Sequence, residues 1–361
     1  MNFSDVHLGN SRTSSEFIIN NVQTMLSPPV LLDLDMIIIA GDLFDKELPL
    51  AGTWQIQQFI LFLIRAAYKY DIVIRILEGT PSHDRGQGAI INTLIEAYDK
   101  KVDVKYYDDV AVEHIDSLDL DILYVPDEWS SDHDATWYAV NEALRKAGLT
   151  SVHMSIMHGM FEHQLPNGIP RPCHSLERYS SITEYYIVIG HIHKFSINGK
   201  AVSCGSTDRL AFNEESPKGM VQLLIDRLMY SNSEIRFIEN VGAKQYKTFD
   251  LTKIEPEDIE LALDEVSHMP ADSYVAVLTQ RTPVKLGVID SVKLRNPNLN
   301  WRARIIKDDV STAEPVLIDE VINITPINQR TVTNLIRDRL SMLSTDKIDI
   351  SRMLELLEEI K

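Results

Sequence analysis

Short apolar segments that end in glycine, Asp and His recur along the first half of the sequence, and this recurrence constrains the fold most strongly. The segments before the last four clusters contain β-branched residues and are as long as a buried strand. Each is followed at once by side chains that bind metals. The five polar clusters are residues 4–9, 41–45, 79–84, 157–159 and 190–193.

Helical patterns separate these strand-like segments, so the first 230 residues alternate between the two kinds of element. This alternation predicts an α/β fold in which helices flank a sheet core. The predicted helices are Ser14–Leu26, Thr53–Tyr70, Ala89–Tyr98 and Ala135–Ala147. The predicted strands are Met36–Ala40, Asp71–Leu77, Val102–Tyr107, Ile122–Val125, Ser151–Met157 and Tyr185–Ile189.

The polar clusters are expected to converge, because binding sites of α/β sheets form at the carboxyl ends of their strands. Asp5 and His7 are two residues apart, as are His191 and His193, so each pair lies on one face of an extended segment. Mixed imidazole and carboxylate ligands suit Mn²⁺, Fe²⁺ or Zn²⁺ better than Ca²⁺. With Asp42 as a bridge, two cations about 3.5–4 Å apart would activate water and clamp a phosphate.

Each cluster has an ordinary explanation when it is considered alone. A His-x-His pair is more often a surface pair than a site, and Gly-Asp after a strand is more often a turn. Five such clusters in succession, each after a strand, favour a metal site. The remaining histidines lack this context and are interpreted as surface or core residues.

Composition limits the classes of protein that the chain can belong to. The 361 residues include 35 Lys and Arg but 53 Asp and Glu, and the net charge of −18 excludes a generally basic DNA-coating protein. Two cysteines are too few for a disulfide framework and favour a reducing cytoplasm. The sequence contains neither an apolar run long enough to span a membrane nor the layout of a secretion signal.

The order and spacing of the clusters resemble the calcineurin-like metallophosphoesterase superfamily, with its motifs Asp-x-His, Gly-Asp, Gly-Asn-His-Asp, Gly-His and Gly-His-x-His. Residues 205–219 further resemble the SbcD family, the nuclease subunits of SbcCD-type DNA repair complexes, which include phage recombination endonucleases. The resemblance implies a four-layer metallophosphoesterase β-sandwich flanked by helices, with a small α+β capping domain and C-terminal helices. The implied domains are 1–240 for the nuclease, 241–320 for the DNA-binding cap and 321–361 for the C-terminal helices.

The same resemblance implies two divalent cations, Mn²⁺, and assigns their ligands. One cation would be held by Asp5, His7, Asp42 and His193, and the other by Asp42, Ser82, His158 and His191. His83 would protonate the leaving oxygen, and Asp84 would orient its imidazole ring.

The sequence departs from the family pattern at three places. Ser82 replaces the Asn ligand, and a hydroxyl is a weaker ligand, so the second cation would bind less tightly or through water. Asp45 stands where related nucleases often carry a histidine. The first core strand is nearly missing, because only four residues precede Asp5.

The predicted partners are DNA, an SbcC-like coiled-coil ATPase and a second copy of the chain. DNA contacts are expected from Arg209, Lys293, Arg295, Arg302 and Arg304, with Lys218 nearer the core. The stretch Lys285–Ile306 is interpreted as strand-rich and basic, and a solvated hairpin face is an equal alternative. Pro256–Val266 is predicted to be a helix.

The C-terminal segments Thr325–Leu343 and Asp349–Lys361 have the spacing of amphipathic helices. They would either pack within the chain or dock onto the ATPase. A homodimer would use the helices predicted at Thr53–Tyr70 and Ala89–Tyr98.

The function expected from these patterns is that of a DNA nuclease, a 3′→5′ exonuclease and also an endonuclease, in the cytoplasm or, for a phage protein, the host cytoplasm. One alternative is a stand-alone phosphodiesterase or phosphatase with a small substrate. Another is a weakly catalytic scaffold that binds DNA or the ATPase.

Overall fold

The structure is a computed structural model, and it describes residues 1–48, 54–84, 86–127, 133–165, 173–212, 214–227, 229 and 232–306. The predicted C-terminal helices, and with them the predicted domain 321–361, lie outside these residues.

Two six-stranded mixed sheets form the body of the protein. The first sheet has the order β12-β11-β1-β2-β3-β4, and the second has the order β5-β6-β7-β8-β10-β9. The strands of the first are β1 (Asn2–Phe3), β2 (Met36–Ala40), β3 (Val73–Leu77), β4 (Val104–Tyr107), β11 (Gly219–Leu224) and β12 (Glu234–Glu239). The strands of the second are β5 (Ala111–Ile115), β6 (Leu120–Val125), β7 (Val152–His158), β8 (Thr183–Gly190), β9 (Ser196–Asn198) and β10 (Ala201–Ser203).

The first core strand, β1, is short but central. It pairs in parallel with β2 and antiparallel with β11, and both of its residues are buried. It therefore joins the two halves of the first sheet.

Helices cover the outer face of each sheet, as the sequence predicts. Helix α1 begins after Ser14, whose hydroxyl accepts a hydrogen bond from the Phe17 amide, and α3 buries side chains at helical spacing. The helices of the body are α1 (Ser15–Met25), α2 (Pro28–Leu32), α3 (Trp54–Tyr70), α4 (Ala89–Ala97), α5 (His133–Ala147) and α6 (Leu176–Ile182). No helix in the described ranges combines the length and the apolar character that crossing a bilayer requires.

Three apolar clusters separate the layers, and strand β2 shows how they are built. Ile37 and Ile39 pack with residues of α1 and α3, whereas Ile38, which points to the opposite face, packs with residues of the second sheet such as Ile156. A third cluster, which includes Leu123, lies between the second sheet and the helices α5 and α6. The result is an α/β sandwich with two large sheets between outer helices.

A third sheet follows the body, with the parallel order β13-β14-β15 and an apolar cluster of its own. Its elements are β13 (Tyr246–Asp250), α7 (Ile259–Ala262), β14 (Tyr274–Gln280), α8 (Pro283–Arg295) and β15 (Asn300–Ile306). It falls within the predicted cap, 241–320.

Two predictions for this region need correction. The segment predicted to be strand-rich begins with a helix, because the buried positions 285, 289 and 292 recur at helical intervals that the β-branched composition hides. The helix predicted at Pro256–Val266 is interrupted, since only Ile259–Ala262 is α-helical and short 3₁₀ turns lie on either side.

Candidate metal centre

The predicted ligands lie at the carboxyl ends of five strands that each belong to a parallel pair. Three of these strands, β1, β2 and β3, belong to the first sheet, and β7 and β8 belong to the second. The two sheets meet at this edge, where the His191 amide donates to both carboxylate oxygens of Asp5 at 3.0 and 3.1 Å. The loops after the five strands therefore build one site.

Backbone strain is concentrated at this site. Asp5, His7, Asp42 and His191 all have positive φ angles, of 51°, 53°, 50° and 93°. Each such conformation costs about 1–3 kcal/mol in a residue other than glycine, and it persists where the surrounding structure enforces it. Gly41, with φ of 85°, is needed because a Cβ atom there would collide with the His158 ring.

The first cluster consists of Asp5, His7 and His193, whose ligand atoms lie within 4.8 Å of one another. The Nε2 atoms of His7 and His193 are 3.1 Å apart, and His193 Nε2 is 3.6 Å from an Asp5 oxygen. Asp5 and His7 are nearly inaccessible to solvent, at 0% and 3% exposed. The cluster is a set of buried groups that can hold a metal ion.

The second cluster consists of Asp42, His158 and His191, which meet the same distance criterion. Asp42 Oδ2 lies 3.4 Å from His158 Nε2 and 3.7 Å from His7 Nε2. Asp42 thus stands between the two clusters, within 3.7 Å of an imidazole nitrogen of each. A third group of possible ligands shares His7 and adds Asp45 and His83.

Hydrogen bonds fix which nitrogen of several imidazoles faces the centre. His158 Nδ1 lies 2.7 Å from the carbonyl oxygen of Ala40, and because a carbonyl only accepts, Nδ1 carries the proton. Nε2 is then the nitrogen that faces Asp42, and it would present a lone pair to a cation once its own proton is lost. A second ring, that of His193, has its Nδ1 3.0 Å from Glu214 Oε1. Imidazole lone pairs that converge with carboxylates fit a divalent cation.

The charges of the second cluster are strongly coupled. Burial lowers the pKa of His158, but the adjacent Asp42 carboxylate outweighs this and raises it to about 10. Burial raises the pKa of Asp42, yet His158 and His7 leave it well below its ordinary value. The pKa of His191 is lowered by burial and by the charge of His158. Without a cation, a proton on His158 balances Asp42.

Thr80, and not Ser82, lies among the ligands of the second cluster. The Thr80 hydroxyl is 3.2 Å from Asp42 Oδ2 and 3.4 Å from both His158 Nε2 and His191 Nδ1. The chain turns immediately afterwards, with the His83 amide donating to the Thr80 carbonyl, and this leaves Ser82 exposed. The assignment of Ser82 as a ligand needs correction.

A repeated spacing in the sequence points to Thr80. Asp42 follows Gly41 and His191 follows Gly190 close to the end of a strand, and Thr80 follows Gly79 three residues after β3. In these three loops the residue after the glycine faces the centre. Ser82 lies two residues further along the chain.

His83 and Asp84 have different partners from those expected. His83 lies beside the first cluster, with its ring centroid 4.8 Å from that of His7, and its Nδ1 donates to the Asp45 carbonyl at 2.8 Å. Asp84 accepts hydrogen bonds from the amides of Phe44 and Gly79, at 2.9 and 2.6 Å. Asp84 therefore ties two loops together, and the orienting group for His83 is the Asp45 carbonyl.

Burial raises the pKa of Asp84 to about 7, and the charge of Asp42 acts in the same direction. Its two backbone amide donors oppose the shift. The Asp84 carboxyl group therefore holds a proton more tightly than an ordinary Asp does, at the point where the two loops meet.

Three further carboxylates approach the centre and were missed as site residues. Asp45 Oδ1 lies 3.3 Å from His7 Nδ1, Glu214 contacts His193, and Asp127 lies 3.8 Å from His191 Nδ1. Asp45 belongs to the second polar cluster, so its position offered a signal. Asp127 and Glu214 belong to no metal-binding sequence pattern, and only the tertiary fold places them beside His191 and His193.

The predicted DNA contacts are distributed unevenly. Lys293, Arg302 and Arg304 are exposed, and the two arginines lie on one face of the edge strand β15. Arg295 pairs with Glu260 at 2.6 Å. Arg209 is half-buried and donates to the carbonyls of Lys244 and Glu215.

Lys218 and Lys285 are buried and bonded to the protein. Lys218 is 1% exposed, and all three donors of its ammonium group have partners. Lys285 donates to two carbonyls and to Gln280. The expectation that Lys218 contacts a phosphate is therefore wrong, and Lys285 does not add to a surface basic patch.

No protein-family model matches the sequence of this chain, and no curated protein matches it.

Proposed function

We propose that this chain is a metal-dependent phosphodiesterase that cleaves DNA, a Mn²⁺-dependent 3′→5′ exonuclease that also acts as an endonuclease. The observation that carries the proposal is the place of Asp42 between two His-Asp clusters. A shared carboxylate with imidazoles on both sides is the donor set of a two-cation phosphoryl-transfer site.

The ligands of the proposed centre follow from these contacts. One Mn²⁺ would be held by Asp5, His7, Asp42 and His193, and the other by Asp42, Thr80, His158 and His191. Bound cations would supply an activated water and neutralise charge on the phosphate. His83 is partly exposed beside His7, with its Nδ1 held by Asp45. In the doubly protonated ring, the Nε2–H would donate its proton to the leaving oxygen, as general acid catalysis requires, while Nδ1 keeps its hydrogen bond to Asp45.

DNA binding is proposed for the exposed face of β15 that carries Arg302 and Arg304, on the small sheet that would form the cap, and for the exposed Lys293 of helix α8. Because the chain has a net charge of −18, we expect DNA affinity to be weak without help. The help would come from an SbcC-like ATPase bound to the amphipathic segments within 321–361, in a complex of two copies of each chain. Both cysteines are free, which supports a reducing cytoplasm as the compartment.

The test is cleavage of linear double-stranded DNA in Mn²⁺ by wild type and by His83→Ala. The substitution should lower the rate about 10²- to 10⁴-fold, the usual contribution of a general acid, and leave the metal content unchanged. His114→Ala is the matched control, since His114 lies on the surface in an ion pair with Asp121.

Wild-type protein that binds two Mn²⁺ but cleaves no DNA, even with an ATPase partner present, would contradict the proposal. Hydrolysis of a small phosphodiester under those conditions would favour the stand-alone phosphodiesterase. Loss of both activities would favour the scaffold.

A further inference from the structure

Glu214 lies behind one of the two facing imidazoles of the first cluster. Its Oε1 is 3.0 Å from His193 Nδ1, on the side of the ring opposite the cluster, and its Oε2 is 2.8 Å from Lys218 Nζ. The Glu214 side chain is 12% exposed. One carboxylate thus bonds to an imidazole with one oxygen and to a buried ammonium group with the other.

Lys218 holds this carboxylate in place. Its ammonium group also donates to the His193 carbonyl at 2.6 Å and to the Ser206 hydroxyl at 2.8 Å. A buried cation needs a paired anion, because an unpaired one would cost several kcal/mol in desolvation. Lys218 therefore neutralises the Glu214 carboxylate. It also bonds to the backbone of His193, the residue whose imidazole Glu214 contacts.

We propose that Glu214 is a positioning residue that keeps His193 protonated on Nδ1, so that Nε2 presents its lone pair to the metal centre. The other tautomer would direct an N–H toward His7 Nε2, which is 3.1 Å away, and would remove one ligand. A carboxylate behind a ligand histidine fixes ring orientation and tautomer in this way. The proposal deepens the proposed function and rests on its metal centre.

The chemistry of Glu214→Gln makes the proposal testable. The carboxylate accepts from both the imidazole and the ammonium group, whereas an amide offers one acceptor and one donor. The amide oxygen should turn to Lys218, because a hydrogen bond from a charged donor is the stronger one. The NH₂ group then faces His193 Nδ1 and favours the tautomer that is protonated on Nε2.

Glu215→Gln provides the matched control. Glu215 is the next residue, carries the same charge and is exposed, and the contact of its backbone carbonyl with Arg209 does not involve the side chain. The same change of charge and shape is thus made one residue away from the contact with His193.

The experiment has two readouts on wild type, Glu214→Gln and Glu215→Gln. The first is the tautomer of His193 in metal-free protein labelled with ¹⁵N-histidine, recorded at a pH at which the ring carries a single proton, read from the ring ¹⁵N shifts and assigned with His193→Asn. The second is the affinity for Mn²⁺ alone, from the electron paramagnetic resonance signal of the free ion. Circular dichroism checks that each variant folds.

Wild type and Glu215→Gln should show the Nδ1-protonated tautomer, and Glu214→Gln the other. One of the two Mn²⁺ should bind about 10- to 100-fold more weakly in Glu214→Gln. An Nε2-protonated His193 in wild type would overturn the proposal, and so would unchanged Mn²⁺ affinity in Glu214→Gln. If Glu214→Gln does not fold, the tautomer of His193 in wild-type protein alone decides whether the proposal holds.

The tautomer is read without metal, so this arm is independent of nuclease activity. Wild-type protein that binds no Mn²⁺ would contradict the proposed function and leave the role of Glu214 to be decided by the tautomer.

Discussion

Strand β3 and the loop after it supply side chains to two buried polar clusters that differ in how their charges are balanced. Arg75, in the middle of the strand, faces the second sheet and is 1% exposed. It donates two hydrogen bonds to Glu113, at 2.7 and 2.8 Å, and pairs with Asp103 at 2.7 Å. Thr80, three residues after the strand ends, belongs to the metal centre.

The cluster around Arg75 is complete within the chain. Glu113 also accepts from the Tyr124 hydroxyl at 2.9 Å and pairs with Lys105, so cations and anions bond directly across the two sheets. In the metal centre, imidazole lone pairs and carboxylates point at one another, and a proton on His158 supplies part of the balance. The Arg75 cluster balances its charges within the fold, whereas the groups of the candidate metal centre could hold a cation from outside.

The largest expected effect comes from removing the cation of the self-contained cluster. Arg75→Met leaves Glu113 without its main partner, and breaking a buried ion pair in this way costs about 3–5 kcal/mol. The free energy of unfolding, from urea denaturation, measures the loss, while Mn²⁺ affinity should stay as in wild type. Arg145→Met removes an exposed pair with Glu142 and should leave the free energy of unfolding close to that of wild type. If Arg75→Met and Arg145→Met lowered the free energy of unfolding equally, the Arg75 cluster would not stabilise the fold more than a surface ion pair does.

A smaller effect is expected from removing a hydroxyl at the metal centre. Thr80→Val keeps the shape of the side chain but removes the oxygen that faces Asp42, His158 and His191. Mn²⁺ titration should show one of two sites weakened by about tenfold, the lower end of the range for groups that support metal ligands. Ser82→Ala should bind Mn²⁺ as wild type does. The reverse result would restore Ser82 as the ligand.

The smallest effect concerns acid stability. Burial raises the pKa of Glu113, but Arg75, Lys105 and Tyr124 outweigh it and lower the pKa to about 2. Because the folded pKa is below the unfolded value of 4.5, the stabilisation is complete above about pH 4.5 and disappears as the pH falls toward 2. Between pH 5 and 3, the free energy of unfolding should therefore fall less steeply for Glu113→Gln than for wild type. Parallel pH profiles would contradict this account.

The sequence predicts the metal centre better than it predicts the Arg75 cluster, and the reason is physical. The end of a buried strand can be recognised in the sequence, because an apolar segment gives way to glycine and polar residues. Asp5, Asp42 and His158 stand at such ends. Whether Thr80 or Ser82 faces the centre depends on the residue at which the turn after β3 begins. The pattern of apolar residues in the strand does not specify that residue. Arg75 pairs with Glu113, which is 38 residues away in the sequence, and no local sequence pattern predicts such a contact.

Helix α8 and the partners of Asp84 show the same limit. The β-branched residues of α8 favour a strand locally, and packing against its own small sheet selects the helix. Asp84 follows His83 directly, but its buried carboxylate bonds to backbone amides of two loops that only the fold brings together.

If Asp42 joins two cation sites, crystals saturated with Mn²⁺ should show two anomalous diffraction peaks about 3.5–4 Å apart, one on each side of the Asp42 carboxylate. A single peak, or none, at saturating Mn²⁺, with Asp42 still paired with His158, would contradict it.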